Sequence, residues 1–329
     1  MRYQNRDYIR ITSDYLVASV SDVPIEFDIF SSRVNETGML TAPVQICEKG
    51  SSLTNVIDIL LRTSATRLYI YQEDFGVFKR FIESSIESIV ENRELPIKKK
   101  SELVYKCAVD VMKDVFEHPR SGENISRGKN ITNNILKFVL GNDASIPSLL
   151  QLGSHDYYTF THCINVAVFG IGLWQMIFEK RRSFEELQHF ALGCMLHDIG
   201  KTKISDEILN KPGKLTDEEM GVIKNHPQYG YDMVKEFVSD VSLDVILHHH
   251  ERYNGLGYPE KLKGDQISDN AKVAVIADVY DALTTNRPYS GARNPFNAIL
   301  LMKEDMVGHF EQEKFIKFIN LLGGKRQKM

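Results

Sequence analysis

Apolar and polar positions follow two different rhythms along this chain. Residues 6–19 and 24–31 are rich in β-branched and aromatic side chains, which predicts two strands with a turn at Ser21-Asp22 between them. A third strand is expected near Thr41–Cys47. A fourth, RLYIY at Arg67–Tyr71, is apolar on both faces and reads as buried. Leu53–Leu61 repeats apolar residues three and four apart, the period of an amphipathic helix. Phe75–Val90 does the same, with Phe75, Phe78, Phe81 and Ile82 on one face. Together these predict a small α/β domain over residues 1–96.

Beyond it the helical rhythm takes over. Asn92–Ser101 (NRELPIKKKS) combines a proline with three lysines and reads as a solvated linker. Amphipathic helices are expected at Glu102–Phe116 and Ile125–Leu140, so residues 97–150 read as connecting helices. Further helices are expected at 158–178, 184–197, 217–225, 228–238, 241–250, 270–284 and 295–305, in a helical domain spanning 151–329. The expected class is mainly α, preceded by the small α/β domain.

Composition narrows the function classes. The chain has 329 residues, 43% hydrophobic and 26% charged, with a formal net charge of −4. That balance does not provide a broad surface for a nucleic-acid polymer or an anionic membrane. The first residues, MRYQNRDYIRITSD, lack the apolar run of a signal peptide. The most apolar stretch, Cys163–Phe178, is shorter than the roughly 20 residues that span a bilayer, and it contains Asn165 and Gln175. It reads as a core helix, with no membrane insertion expected. Cys47, Cys107, Cys163 and Cys194 form no CxxC pair and read as inert thiols in a reducing cytoplasm.

Candidate chemistry starts at Met195-Leu-His-Asp-Ile-Gly-Lys201. His197 and Asp198 adjoin at the end of an apolar helix, where burial is costly unless each has a partner. Lys201 lies one turn after His197 and faces the same side if the helix continues. Other ionisable groups recur in similar settings. His162 opens the most apolar helix, and His226 precedes Pro227 at a helix start. His248, His249 and His250 follow Val245-Ile-Leu247, and Asp278 stands in VAVIADVYD. Singly each reads as structural. Together, imidazole and carboxylate suit Fe, Mn, Zn or Ni and do not suit a thiolate site. Two metals bridged by a carboxylate and a hydroxide are a standard device for phosphodiester hydrolysis.

On these residues the chain resembles the HD-GYP proteins, a subgroup of the HD metal-dependent phosphohydrolases. The matching stretches are His197-Asp-Ile-Gly-Lys201, Asn210-Lys-Pro-Gly-Lys-Leu215, Asn225-His-Pro227, His249-His-Glu-Arg252, Gly257-Tyr-Pro259, Ile276-Ala-Asp-Val-Tyr-Asp-Ala-Leu-Thr284 and Arg287-Pro-Tyr289. They fall within about residues 150–305. The resemblance implies an all-helical HD-GYP catalytic domain. It implies metal ligation by His162, His197, Asp198, His226, His249, His250 and Asp278, with Asp198 bridging. It implies that Lys201 contacts substrate phosphate or protonates the leaving oxygen. Gly257, Tyr258 and Pro259 would shape a loop beside the site, and Arg287 would meet a phosphate or guanine. Asp281 would support a ligand histidine from behind. The implied reaction is hydrolysis of cyclic di-GMP to linear pGpG, and in some members on to GMP, by attack of a metal-bridging hydroxide. Iron or manganese is the implied metal.

Three departures qualify the resemblance. Some members carry a glutamate where Tyr158 stands, so two metals are expected and not three. Asn254 replaces an aspartate, and Ser290 replaces a basic residue. The last two leave open a weakly catalytic cyclic-dinucleotide-binding module, or an enzyme for another cyclic dinucleotide. His248 reads as a flanking residue. His118, His155, His189 and His309 read as solvated, and Trp174 and Met195 as core. Lys211 and Lys214 read equally as a lid or as a solvated loop. The N-terminal domain shows no P-loop, no dinucleotide fingerprint and no metal cluster. A homodimer or a signalling partner docked there remains open.

Overall fold

The computed structural model describes residues 2–3, 6–19, 23–33, 39–63, 67–153, 159–178, 181–285 and 292–323. The chain divides into two compact units, Met1–Cys107 and Ala108–Met329.

In the first unit, strands β1 (Arg2–Tyr3), β2 (Arg6–Ile11), β3 (Ile29–Ser32), β4 (Val44–Cys47) and β5 (Arg67–Tyr71) form one antiparallel sheet, in the order β1-β2-β5-β3-β4. Ile9 pairs with Ile70 and Ile11 with Leu68. Alternation along a strand therefore sends Ile11, Ile29, Leu68 and Ile70 into one core. Helices α1 (Asp14–Ala18), α2 (Leu53–Thr63) and α3 (Phe75–Glu91) contribute Leu16, Leu53, Val56, Phe78 and Phe81 to that core. Phe27 sits between the Phe78 and Phe81 rings, edge-on to both. Tyr8, Phe30 and Tyr69 gather in a second cluster, and the Arg6 guanidinium lies 4.6 Å over Tyr71.

Two expectations for this unit need correction. Residues 6–19 are not one strand. Asp14–Ala18 turns into a helix because Tyr15, Leu16 and Ala18 bury at helical, not alternating, spacing. Nor is Asn92–Ser101 a solvated linker throughout, because helix α4 (Ile97–Glu117) begins inside it. Pro96 stands just before that helix, where its missing N–H costs nothing, and its carbonyl accepts from Lys100 N. Of the three lysines, Lys99 pairs with Asp14 at 2.8 Å. Lys100 is buried and donates to the Val90 carbonyl at 2.7 Å.

The second unit is helical. It comprises α5 (Gly122–Gly141), α6 (Ser145–Gly153), α7 (Thr159–Phe178), α8 (Phe184–Leu196), α9 (Asp206–Leu209), α10 (Asp217–Ile223), α11 (His226–Val234), α12 (Asp240–His248), α13 (Asp269–Thr284), α14 (Pro295–Glu304) and α15 (Gln312–Leu322). Sequence periodicity did not reveal α6, α9 or α15. Helices α5 and α6, expected as connectors, pack on α7 and belong to this unit.

Helix α7 is the hub, in contact with α5, α6, α8, α13 and α15. It is 20 residues long, so its length alone does not exclude a membrane span, contrary to the sequence expectation. Its surroundings do the work instead: 78% of its apolar window is buried inside the protein. Trp174 on α7 donates to Asn270 at 3.0 Å, which satisfies its one polar atom in the core. Side-chain caps start α8, α12 and α13: Ser183, Ser239 and Ser268 each accept a backbone N–H of the first turn. These caps fix where the helices begin, and so which residues reach the centre of the bundle at their far ends.

Candidate metal centre

Five helices deliver ionisable groups to one buried point. His162 comes from α7, one residue beyond the end of α8 supplies His197, and Asp198 follows it. His226 opens α11, His249 and His250 follow α12, and Asp278 comes from α13. All but His250 are nearly removed from solvent, with His226 at 0% and Asp278 at 6% exposure. Ligand-capable atoms of Asp198, His226, His249 and His250 lie within 4.8 Å of one another, and so do those of His162, His197 and Asp278.

Asp198 stands between the two sets. Its Oδ1 is 3.2 Å from His226 Nε2 and 3.9 Å from His249 Nε2. Its Oδ2 is 3.5 Å from His197 Nε2 and 3.8 Å from His162 Nε2. Lys201 Nζ donates to the same Oδ2 at 2.6 Å. The lysine arrives there by a route the sequence did not suggest. Helix α8 stops at Leu196, and residues Ile199–Lys203 form a 3-10 turn that carries Lys201 back over Asp198.

The protonation pattern follows from the backbone. His197 Nδ1 lies 2.8 Å from the Cys194 carbonyl, His226 Nδ1 2.7 Å from that of Ile223, and His249 Nδ1 2.8 Å from that of Ile246. A carbonyl only accepts, so each Nδ1 carries the hydrogen and each Nε2 presents a lone pair. The Nε2 atoms of His226 and His249 then face each other at 3.1 Å. Two lone pairs at that distance repel unless a cation lies near both. His197 Nε2 and Asp198 Oδ1 are buried without a hydrogen-bond partner. Such a donor set fits a divalent cation and is costly without one.

The charges point the same way. Burial, followed by the neighbouring imidazoles, pushes His249 well below its ordinary range. Burial also lowers His197, outweighing Asp198 and Asp278. Burial opposes ionisation of Asp198, but Lys201, His197 and His226 hold its carboxyl well below the usual range. Asp278 is held down against burial by His162, His250 and His197. His162 differs: burial works against its charged form, yet Asp278 and Asp281 raise it to about 9.

Residues 172–313 match the HD domain family. That stretch is similar to HD domains. A cyclic di-GMP phosphodiesterase of Pseudomonas aeruginosa is 38% identical over 213 residues, which cover 64% of this chain and 50% of that protein. A 3'3'-cGAMP-specific phosphodiesterase of Vibrio cholerae is 38% identical over 122 residues, covering 35% of this chain and 23% of that protein. The chain thus spans half or less of the length of these relatives. The solved structure of an HD-GYP-type protein from Bdellovibrio bacteriovorus superposes with a TM-score of 0.68 at 20% identity. It covers 96% of this chain and 100% of its own, which shows a shared fold.

Two glycines permit close approaches around this centre. A Cβ on Gly200 would overlap the His226 carbonyl, so the turn after Asp198 could not close on α11. A Cβ on Gly257 would meet the backbone of Glu251 and Arg252. Without one, Tyr258 N donates to the His250 carbonyl at 3.2 Å and the Tyr258 ring lies 4.7 Å from that of His250. The Tyr258–Pro259 peptide bond is cis. Asp281 Oδ2 lies 2.6 Å from His162 Nδ1.

Several contributors escaped the sequence reading. Asn165 and Thr285 donate to Asp281 Oδ1 at 3.0 and 3.1 Å and fix the carboxylate behind His162. Glu251 is fully buried and accepts from Glu260 N at 2.7 Å, which pins the Tyr258 loop. Lys224 Nζ lies 5.8 Å over the Tyr258 ring. Cys163, read as inert, is buried with its thiol pushed well up by burial and Asp198, and it lies beside His197 and Asp198. The one available signal was spacing: Asn165 is three residues from His162, and Thr285 four from Asp281.

Other placements are plain. His248 turns away to Asp244 at 2.8 Å. Lys211 pairs with Glu219 at 2.7 Å, and Lys214 is exposed. Asn254 makes a local turn, accepting from Leu256 N at 3.0 Å. His118 is exposed, while His189 and His309 are half-buried. Tyr158, His155, Arg287 and Ser290 lie outside the described residues.

Proposed function

We propose that this protein is a divalent-metal phosphodiesterase that opens cyclic di-GMP to the linear dinucleotide pGpG. The carrying observation is the set of three buried imidazoles whose Nε2 lone pairs are turned, by their own backbones, toward Asp198. The names of the Pseudomonas and Vibrio relatives supply the substrate class.

His162, His197 and Asp278 would hold one cation, and His226, His249 and His250 the other, with Asp198 shared. Imidazole with carboxylate suits iron or manganese. Bound there, two such ions supply Lewis acidity toward a phosphoryl oxygen and activation of water. The chain's own groups do the rest. Asp281 orients His162. Lys201, 2.6 Å from Asp198 and partly exposed, is placed to neutralise a phosphate oxygen or give a proton to the leaving oxygen. Tyr258, held against His250, forms a wall on which a nucleobase can stack. In this reading Arg287 meets a phosphate or guanine, and Tyr158 limits the centre to two ions.

The Vibrio relative favours a second substrate, 3'3'-cGAMP. Among the described residues every clustered donor set lies in the second unit, which leaves the first a sensory or partner-docking role in this reading. The described cysteines are buried and outside any disulfide, in keeping with a reducing cytoplasm as its compartment.

The test is direct. Anaerobically purified protein, loaded with iron or manganese, is incubated with cyclic di-GMP and separately with 3'3'-cGAMP, and linear product is followed by chromatography. Linear pGpG is expected. Metal-loaded protein that binds either nucleotide without product would replace the enzyme by a binding module.

A further inference from the structure

Cys163 follows His162 on α7 and is 0% exposed. Its Sγ lies within 4.8 Å of a ring nitrogen of His197 and a carboxylate oxygen of Asp198. A buried thiol alone means little. Here one neighbour, His197, carries in Nε2 a fully buried atom that lacks a hydrogen-bond partner. Three donors of different softness therefore meet at one place. The set around His226, His249 and His250 contains nitrogen and oxygen donors alone.

We propose that Cys163 makes the two metal positions chemically unequal. The position reached by His197 and Asp198 accepts a thiophilic divalent cation of the zinc class with the Cys163 sulfur as an added donor. The His226 side holds its ion through nitrogen and oxygen only. The inference rests on the metal-centre reading above. Soft thiolate selects zinc-like ions, whereas carboxylate and imidazole are shared with iron and manganese. Capture breaks the S–H bond and forms a sulfur–metal bond, and the proton leaves to solvent. The chain thereby discriminates between metals at one position and not at the other. Zinc would settle where Cys163 waits, and iron or manganese would compete on even terms elsewhere.

Cobalt(II) titrated into the metal-free protein is the probe. Visible ligand-field bands report any bound cobalt in an irregular nitrogen–oxygen site. A sulfur-to-cobalt charge-transfer band in the near-ultraviolet reports the thiolate. Both are expected in the natural chain. Cys163→Ser should lose the near-ultraviolet band and keep the visible ones, while Cys47→Ser, in the other unit, should keep both. X-ray absorption on the zinc-loaded natural chain needs no variant and should show one sulfur at about 2.3 Å. Visible bands with no sulfur signal, or a sulfur band that survives Cys163→Ser, overturn the inference and leave the metal centre standing. Failure of both cobalt and zinc to bind takes down the centre and the inference together.

Discussion

Phe27 and His249 are both almost wholly removed from solvent, at 0% and 1% exposure, one in each compact unit. Phe27 is stable because leaving water is itself favourable, and Phe78 and Phe81 meet its ring on both sides. His249 gains nothing from burial. It is kept neutral, tied by Nδ1 to the Ile246 carbonyl, and its remaining lone pair faces that of His226. The first interior is complete with the residues it has. The second is complete only with a cation. That difference explains why one half of the chain discloses a chemistry and the other discloses a fold.

The contrast can be broken most severely at Asp198. Asp198→Ala removes the carboxylate common to both donor sets, so metal content measured by mass spectrometry should fall to background. Turnover should fall by about 10³-fold or more, as expected when metal charge stabilisation is lost. Retained metal would contradict the shared position. Next is Lys201→Met, which should leave metal content intact and slow turnover by about 10²–10⁴-fold, the range of a general acid or charge-stabilising group. On the other side of the comparison stands Phe27→Ala. It should cost about 3–5 kcal/mol in denaturant unfolding of the first unit, with metal content per folded molecule unchanged.

The pH dependence of the metal-free protein sharpens the same contrast. His197 and His249 are lowered in the folded state, so below about pH 6.5 the unfolded chain takes up protons that the folded chain refuses. Stability should therefore fall as pH drops below that value, by up to about 1.4 kcal/mol per pH unit for each such histidine. His162 acts oppositely. Raised to about 9, it contributes stability below about pH 6.5 that is lost as pH rises through 9. Thermal melts across pH should show both limbs, and added manganese should flatten the acid one. A flat metal-free profile would argue against buried neutral imidazoles. The smallest effect is expected at Thr285→Val, which removes one hydrogen bond to Asp281 and should cost about 1 kcal/mol.

Legibility in the sequence followed the same division. The candidate ligands His197, Asp198, His226, His249, His250 and Asp278 stood out because ionisable groups in apolar runs need a reason. The long helices α7, α8 and α13 stood out by their apolar content. Short elements did not. Asp14–Ala18 was hidden inside a β-rich stretch, α6 is only nine residues long, and α15 buries a face against α7, far away in sequence. Lys201 lies beside Asp198 by a different device from the continued helix expected, since no periodicity distinguishes an α-helix from the 3-10 turn that Gly200 permits. Cys163, Asn165, Thr285 and Glu251 were silent for a physical reason. Their roles exist only once α7, α13 and the Tyr258 loop are brought together.

The three histidines that bond a carbonyl three residues behind them carry a consequence for change in this architecture. Each reads its proton pattern from a four-residue stretch: Cys194–His197, Ile223–His226 and Ile246–His249. Nothing in the 210–215 loop or the Tyr258 loop sets it. Those loops can be rebuilt, lengthened or recharged to suit a different anion while the lone pairs keep their aim. What the centre holds and what it is offered are thus inherited separately, and a new substrate need not disturb an old metal.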